Sequence, residues 1–338
     1  MNITFPPLIA LLLFPGGIFL LSSGLVFEYI DRKLIARFQN RVGPRWFQPL
    51  ADVIKLLAKE EVMPTGVMKG LFVALPVVAV AAALTAALYV PLFGFKPVFS
   101  FQGDLVVTLY LLSMMTLCIG LAGANTEDRF SLVGATRALT LLFSYEAPFL
   151  LALLGPAIAL GTWNIGEINQ GATTGLWFIL AQPIGFAVAL VGLMGKLELP
   201  PFDAPEAETE IVAGAFTEYS GRGFALFKIG RDIELVIGLT LVASFYLGGF
   251  TNPLDFLWKT LLLLLVTAAL QSLFARLRID QTVGLWWRIG VILVLLQLVV
   301  IVAGRYLSPV IQPLLQSITR GYRHDHRINV WRYFQIVL

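Results

Sequence analysis

Eight apolar runs dominate the chain, at about Leu8 to Tyr29, Leu71 to Phe93, Leu105 to Ala124, Ala138 to Leu160, Leu176 to Met194, Phe224 to Leu247, Leu254 to Phe274 and Leu285 to Val302. Each is long enough to cross roughly 30 Å of hydrocarbon as a helix. Backbone polar groups in lipid must be satisfied within the segment, and these lengths do not suit barrel strands. With 58% hydrophobic and 13% charged residues, and a mean hydropathy of +0.82, a soluble globular domain is excluded. The expected fold is an all-α integral membrane protein with about eight transmembrane helices. No repeat, low-complexity tract or soluble linker divides it, so residues 1–338 read as a single polytopic membrane domain.

The first run has no basic residue before it and no charge until Glu28, so it lacks the basic start of a cleavable signal and is expected to stay as the first span. Cys118 is the only cysteine, which leaves no disulfide, zinc finger or iron–sulfur cluster to be built from this chain. Seventeen lysines and arginines fall in or beside the loops after spans 1, 3, 5 and 7, against Lys96 and Lys259 on the other side. That asymmetry puts the long loops in the cytoplasm and the N-terminus outside. The tail carrying Arg305, Arg320, Arg323, Arg327 and Arg332 resists the rule, because an eighth span would leave it outside.

The charge-bearing sequence is concentrated on the cytoplasmic side. Between Lys196 and Glu218 stand six carboxylates, Glu198, Asp203, Glu206, Glu208, Glu210 and Glu218, against one cation. Asp203-Ala204-Pro205-Glu206 reads as a capped helix start. On a helix beginning there, Asp203, Glu206 and Glu210 share a face, and their repulsion would favour water or shared protons. A solvated acidic loop docking a basic partner fits the same residues. Glu146 lies inside the fourth apolar run, and Arg231, Asp232 and Glu234 inside the sixth. Intramembrane charges cost roughly 2.5–3.5 kcal/mol each to insert and so mark function by default. Arg231 could equally neutralise Asp232 or Glu234, whereas Glu146 has no cation within a helical turn.

Leu50, Val53, Ile54 and Leu57 recur at i, i+3, i+4 and i+7, with Asp52, Lys55 and Lys59 on other faces, the pattern of an amphipathic helix along a membrane surface. Its approach, Arg41 to Pro49, is interrupted by Pro44 and Pro49 and cannot continue a helix. His324 and His326 flank Asp325 in the polar tail and read as solvated residues more readily than as metal ligands. No phosphate-binding loop, dinucleotide fingerprint, catalytic triad or nucleic-acid-binding motif occurs, so covalent chemistry by this chain alone is not expected.

Two long motifs resemble a known family. Asp31-Arg32-Lys33-Leu34-Ile35-Ala36-Arg37-Phe38-Gln39-Asn40-Arg41-Val42-Gly43-Pro44, followed by Gln48-Pro49-Leu50-Ala51-Asp52-Val53-Ile54-Lys55-Leu56-Leu57-Ala58-Lys59-Glu60, is similar to the first cytoplasmic loop of the H-type membrane subunit of respiratory complex I and of its homologues in group 4 membrane-bound nickel-iron hydrogenases. Pro201-Phe202-Asp203-Ala204-Pro205-Glu206-Ala207-Glu208-Thr209-Glu210-Ile211-Val212-Ala213-Gly214, running into Thr217-Glu218-Tyr219-Ser220-Gly221, resembles that family's acidic loop. Ser144-Tyr145-Glu146 and Arg278-Ile279-Asp280-Gln281 match two further motifs.

The resemblance implies a non-redox subunit of an ion-translocating oxidoreductase in the cell membrane, inactive alone. Such a subunit couples electron transfer in a peripheral iron–sulfur arm to proton or sodium movement. It implies that Glu206, Glu208, Glu210 and Glu218 line an acidic funnel and that Glu146 with Glu234 leads charge into the membrane; their charged neighbours Asp203, Arg231 and Asp232 are expected on the same ion path. Arg37, Arg41, Asp52, Lys55 and Lys59 would lie near a chamber or the arm interface. The implied partners are iron–sulfur and hydrogenase-like subunits, antiporter-like and small membrane subunits, and lipid. Iron–sulfur clusters, and in hydrogenases a nickel–iron centre, would be theirs, with no cofactor or metal bound by this chain. Only Arg45, Trp46 and Phe47 separate the Arg-x-Gly-Pro turn from the Gln-Pro that opens the amphipathic helix. That short connector resembles the hydrogenase and ferredoxin-oxidising branch, and puts quinone binding in doubt. The alternatives are the quinone-chamber subunit of complex I and, more remotely, a stand-alone proton-coupled transporter.

Overall fold

The computed structural model describes residues 7–174 and 178–320. Helices run in the order α1 (Pro7–Leu12), α2 (Gly17–Phe38), α3 (Gln48–Ala58), α4 (Lys69–Ala87), α5 (Asp104–Ala124), α6 (Arg129–Leu160), α7 (Ile165–Thr174), α8 (Phe178–Ala181), α9 (Pro183–Lys196), α10 (Glu208–Ile211), α11 (Gly221–Tyr246), α12 (Pro253–Leu273), α13 (Ile279–Leu285) and α14 (Val291–Arg320), with no strand among the described residues. A π-helical turn, Trp286–Gly290, joins α13 to α14.

The core is organised around α11. Every residue from Ile233 to Tyr246 is buried, as expected of a helix that is apolar all round and enclosed by neighbours. It packs on α2, α3, α4 and α12, while α6 packs on α5, α9 and α14. Pro156 lies inside α6 and has no N–H to give Ala152, and the Tyr246 hydroxyl donates to that Ala152 carbonyl at 2.6 Å. One aromatic side chain thus satisfies a polar group that would otherwise be orphaned at membrane depth.

Among the described residues, five helical segments are long and apolar enough to span: Lys69–Ala87, Asp104–Ala124, Arg129–Leu160, Pro253–Leu273 and Ile279–Arg305. The expected count of eight is not reached on that measure. Helices α2 and α11 have the length but carry charges along them, and α9 has only 14 residues. The run Leu8 to Tyr29 breaks between α1 and α2 around Pro15-Gly16, and the run Leu176 to Met194 breaks at Gln182-Pro183. At the second break the Gly185 N–H donates to buried Gln297 Oε1 at 2.6 Å, which supplies an acceptor to a helix start inside the membrane. His324 and His326 and the far end of the tail lie outside the described residues.

Candidate functional site: a charged cavity below the membrane helices

The acidic segment does not form the single helix expected from Asp203 onward. It folds as a 3₁₀ turn over Ala204–Glu206, the short α10, and a second 3₁₀ turn over Gly214–Phe216. Gly214 has φ +52, and a Cβ there would meet the Pro205 carbonyl oxygen at 1.9 Å. A Cβ on Gly134 of α6 would meet the Ala215 nitrogen at 2.4 Å. These two glycines let the loop lie directly on α6.

Asp203 makes no capping bond; its carboxylate takes a two-pronged contact from Arg276, at 2.8 Å to Nε and 2.5 Å to Nη2. Glu206 pairs with Arg231, and Glu210 with Arg137 at 2.7 Å. The expected repulsion between three acids on one face therefore does not arise. The sequence could not reveal this, because the three arginines come from the loop after α12, from α11 and from α6. Glu218 is half-buried at the end of the segment, and the side chain of Glu208 lies outside the described residues.

Arg231 does not pair with Asp232 or Glu234, the partners expected from sequence. It reaches Glu198 and Glu206 and lies over the Phe216 ring at 4.9 Å. Glu198 holds the position after the α9 C-cap with φ +52. Leu199 N–H donates to Met194 O at 2.9 Å and Glu198 N–H to Gly195 O at 3.2 Å, a Schellman closure in which the left-handed residue is ordinarily glycine. Burial pushes the Glu198 carboxyl up to about 7 against the pull of Arg231, with nearby Glu206 adding to the rise.

These groups face a cavity of about 580 Å³ between α2, the acidic segment and α11. Ten of its seventeen lining residues are charged: Glu28, Asp31, Arg32, Glu198, Asp203, Glu206, Lys228, Arg231, Asp232 and Arg276. The remaining wall is mostly apolar, from Leu197, Leu199, Pro200, Phe216, Phe224 and Leu235, so charged groups and hydrophobic surface share the cavity. Buried oxygens of Glu28, Glu198 and Asp232 have no protein hydrogen-bond partner, which is the situation water resolves.

The cavity wall from α2 is what sequence reasoning missed. Glu28 pairs with Arg32 at 2.6 Å and Lys228 at 3.3 Å, and Gln271 donates to Asp31 at 3.3 Å. The signal was available: Glu28, Asp31 and Arg32, and Lys228, Arg231 and Asp232, each fall at i, i+3 and i+4 on their helices. Asp52 joins this group from α3, at 3.4 Å from Arg32 and 3.8 Å from Lys228. Arg37, Arg41, Lys55 and Lys59 instead point outward and exposed. Helix α3 buries Val53 against the chain and leaves Leu50, Ile54 and Leu57 of the same apolar stripe exposed.

Deeper along α11, Glu234 is buried, 3.6 Å from the Nζ of Lys196. Glu146 on α6 is half-buried and accepts a hydrogen bond from Ser113 of α5. The described residues contain no cluster of three or more His, Cys, Asp or Glu able to hold a metal ion.

Residues 10–302 match the family described as NADH dehydrogenase. The H-type subunit of the NADH-quinone oxidoreductase of Dehalococcoides mccartyi strain CBDB1 is 34% identical over 293 residues, covering 83% of this chain and 82% of that protein. An H-type subunit of the NADH-quinone oxidoreductase of Geobacter sulfurreducens, the one numbered 2, is 35% identical over 301 residues, covering 83% and 90%. Among solved structures, a chain of the membrane-bound sulfane sulfur reductase, an archaeal respiratory membrane complex, aligns with a TM-score of 0.78 at 27% identity, over 84% of this chain and 96% of that one. An all-helical membrane chain that matches this family over most of its length is a member of it: the protein belongs to the NADH dehydrogenase family that includes the H-type subunits of the NADH-quinone oxidoreductases.

Proposed function

We propose that this chain is the coupling subunit of a redox-driven ion-translocating complex of the hydrogenase or ferredoxin-oxidising type. It would anchor a peripheral iron–sulfur arm and convert electron transfer there into proton or sodium movement through neighbouring antiporter-like subunits. The observation that carries the reading is the cavity lined mainly by charged side chains. It offers an ionisable route from the acidic segment toward α11. The three-residue connector before α3 agrees with that branch, as does the likeness to a membrane-bound sulfur reductase. In this arrangement Glu206, Arg231 and Asp232 form the cavity end of the path, with Glu234 and Glu146 leading into the membrane, while Arg37, Arg41, Lys55 and Lys59 face the arm. The basic loops then lie in the cytoplasm.

The second reading, a quinone-chamber subunit, is favoured by the quinone oxidoreductases among its relatives. Inverted membrane vesicles separate the two. Glu146→Gln should lower ion translocation by about tenfold or more, the scale on which one positioned proton-transfer group acts, while the complex stays assembled. Electron transfer should be indifferent to added quinone analogues. Unaltered translocation by this variant would remove Glu146 from the path, and strong inhibition by quinone analogues would favour the second reading.

A further inference from the structure

The last helix is longer than the membrane requires. From Ile279 through the π turn to Arg320 it measures about 63 Å at about 1.5 Å per residue, against roughly 30 Å of hydrocarbon. A tilt of about 40°, the upper end for spanning helices, still leaves about 48 Å along the membrane normal. Arg305 stands where α14 leaves the bundle, donating to the Ile158 carbonyl in the last turn of α6 at 2.9 Å. The family match stops at residue 302, so the helix over 306–320 lies beyond it. Within the bundle α14 buries Val294, Gln297 and Gly304 where it packs on α6 and α9, and leaves Ile292, Leu296, Val299 and Ala303 exposed. Leu307, Ile311, Leu314 and Ile318 carry that exposed line onward in steps of three or four, all within about 120° of one another around the helix. Pro309 and Pro313 fall on the opposite side, with Gln312 and Gln316.

Inside the bilayer lipid can cover such a line, but past the bilayer it cannot. A helix that folds down onto a lipid surface carries lysine and arginine along its polar side. Here that side holds Ser308, Gln312, Gln316 and Thr319, with no charged residue between Arg305 and Arg320. Nothing in it attracts anionic headgroups, whereas an apolar line backed by neutral amides and hydroxyls suits another helix. Ala303, at the point where the line leaves the bundle, lets a second backbone approach closely. We propose that α14 is one half of a helix pair. A spanning helix of another subunit lies along the line from Ile292 to Ile318 and continues past the bilayer with it, presenting an apolar, uncharged face. This goes beyond the coupling reading and does not depend on it.

The test uses native membranes holding the whole complex. Cys118 is buried, so a cysteine introduced on α14 is the reactive thiol of this chain. Leu307→Cys and Leu314→Cys, each carrying a benzophenone maleimide, should on illumination bond to one and the same other subunit. The bonded peptides, read by mass spectrometry, should lie in a spanning helix of that subunit or directly after it, and Gln312→Cys on the far side should give little product. Bonding to a second copy of this chain, to phospholipid, or only within the chain overturns the proposal, as does equal product from Gln312→Cys. Leu307→Asp/Leu314→Asp should then lower recovery of the identified subunit in mild detergent by about tenfold or more, a modest share of what two buried leucines contribute. The remaining subunits should co-purify as before, and undiminished recovery of the identified subunit overturns the pairing. If the double variant fails to insert, the bonding pattern of the cysteine variants decides. Loss of ion translocation by Glu146→Gln bears on the coupling reading alone and leaves this pairing untouched.

Discussion

Glu198 occupies a left-handed position that glycine would fill more cheaply, by about 1 kcal/mol. In return its carboxylate reaches Arg231 at the cavity wall. Its folded-state carboxyl titrates near 7 against 4.5 for a free glutamate. Between those values the folded chain keeps a proton that the unfolded chain has released. The stability this group contributes is therefore complete below 4.5 and is lost as pH rises through about 7. Thermal unfolding in detergent should give a lower midpoint at pH 8 than at pH 5, and Glu198→Gln should flatten that difference; an unchanged pH slope in the variant would refute the assignment. The sequence made Glu198 conspicuous as one of six acids. Its backbone geometry and its partner one helix away were beyond any local pattern.

At the scale of elements, the acidic segment is a chain of short turns held by arginines from three places: Arg137 in α6, Arg231 in α11 and Arg276 after α12. A continuous helix was a sound expectation from Asp203-Ala204-Pro205-Glu206, but the close approach of Gly214 to Pro205 and of Gly134 to Ala215 favours a folded strap over a rod. The Arg276–Asp203 pair is partly exposed and worth at most about 1 kcal/mol. Arg276→Ala should therefore leave the fold intact and raise the proteolytic cleavage rate of residues 199–213 by about fivefold, the equivalent of that energy. Cleavage at the original rate would mean that Arg276 does not strap the segment. Helix α3 was legible from its apolar spacing, because a period of 3.6 is a local property. That Asp52 turns inward to Arg32 while Lys55 and Lys59 turn outward followed only from its packing on α2 and α11.

For the whole molecule, a stripe of exposed apolar side chains on α14, including Ile292, Leu296 and Val299, suits lipid or other membrane subunits. Purified gently through an affinity tag, the chain should co-elute with iron–sulfur proteins, visible by their absorption, and should carry no redox activity alone. A chain that elutes by itself and still moves ions would point to the transporter reading. The sequence by itself determined that this is a helical membrane protein and which family it resembles, since hydropathy, periodicity and motif are written along the chain. Only the tertiary structure decided which acid meets which base. Arg231 joins Glu198 and Glu206, and Lys196 stands between Glu234 and Ser113, because electrostatic partnership depends on separation in space and falls steeply with distance whatever the order of residues.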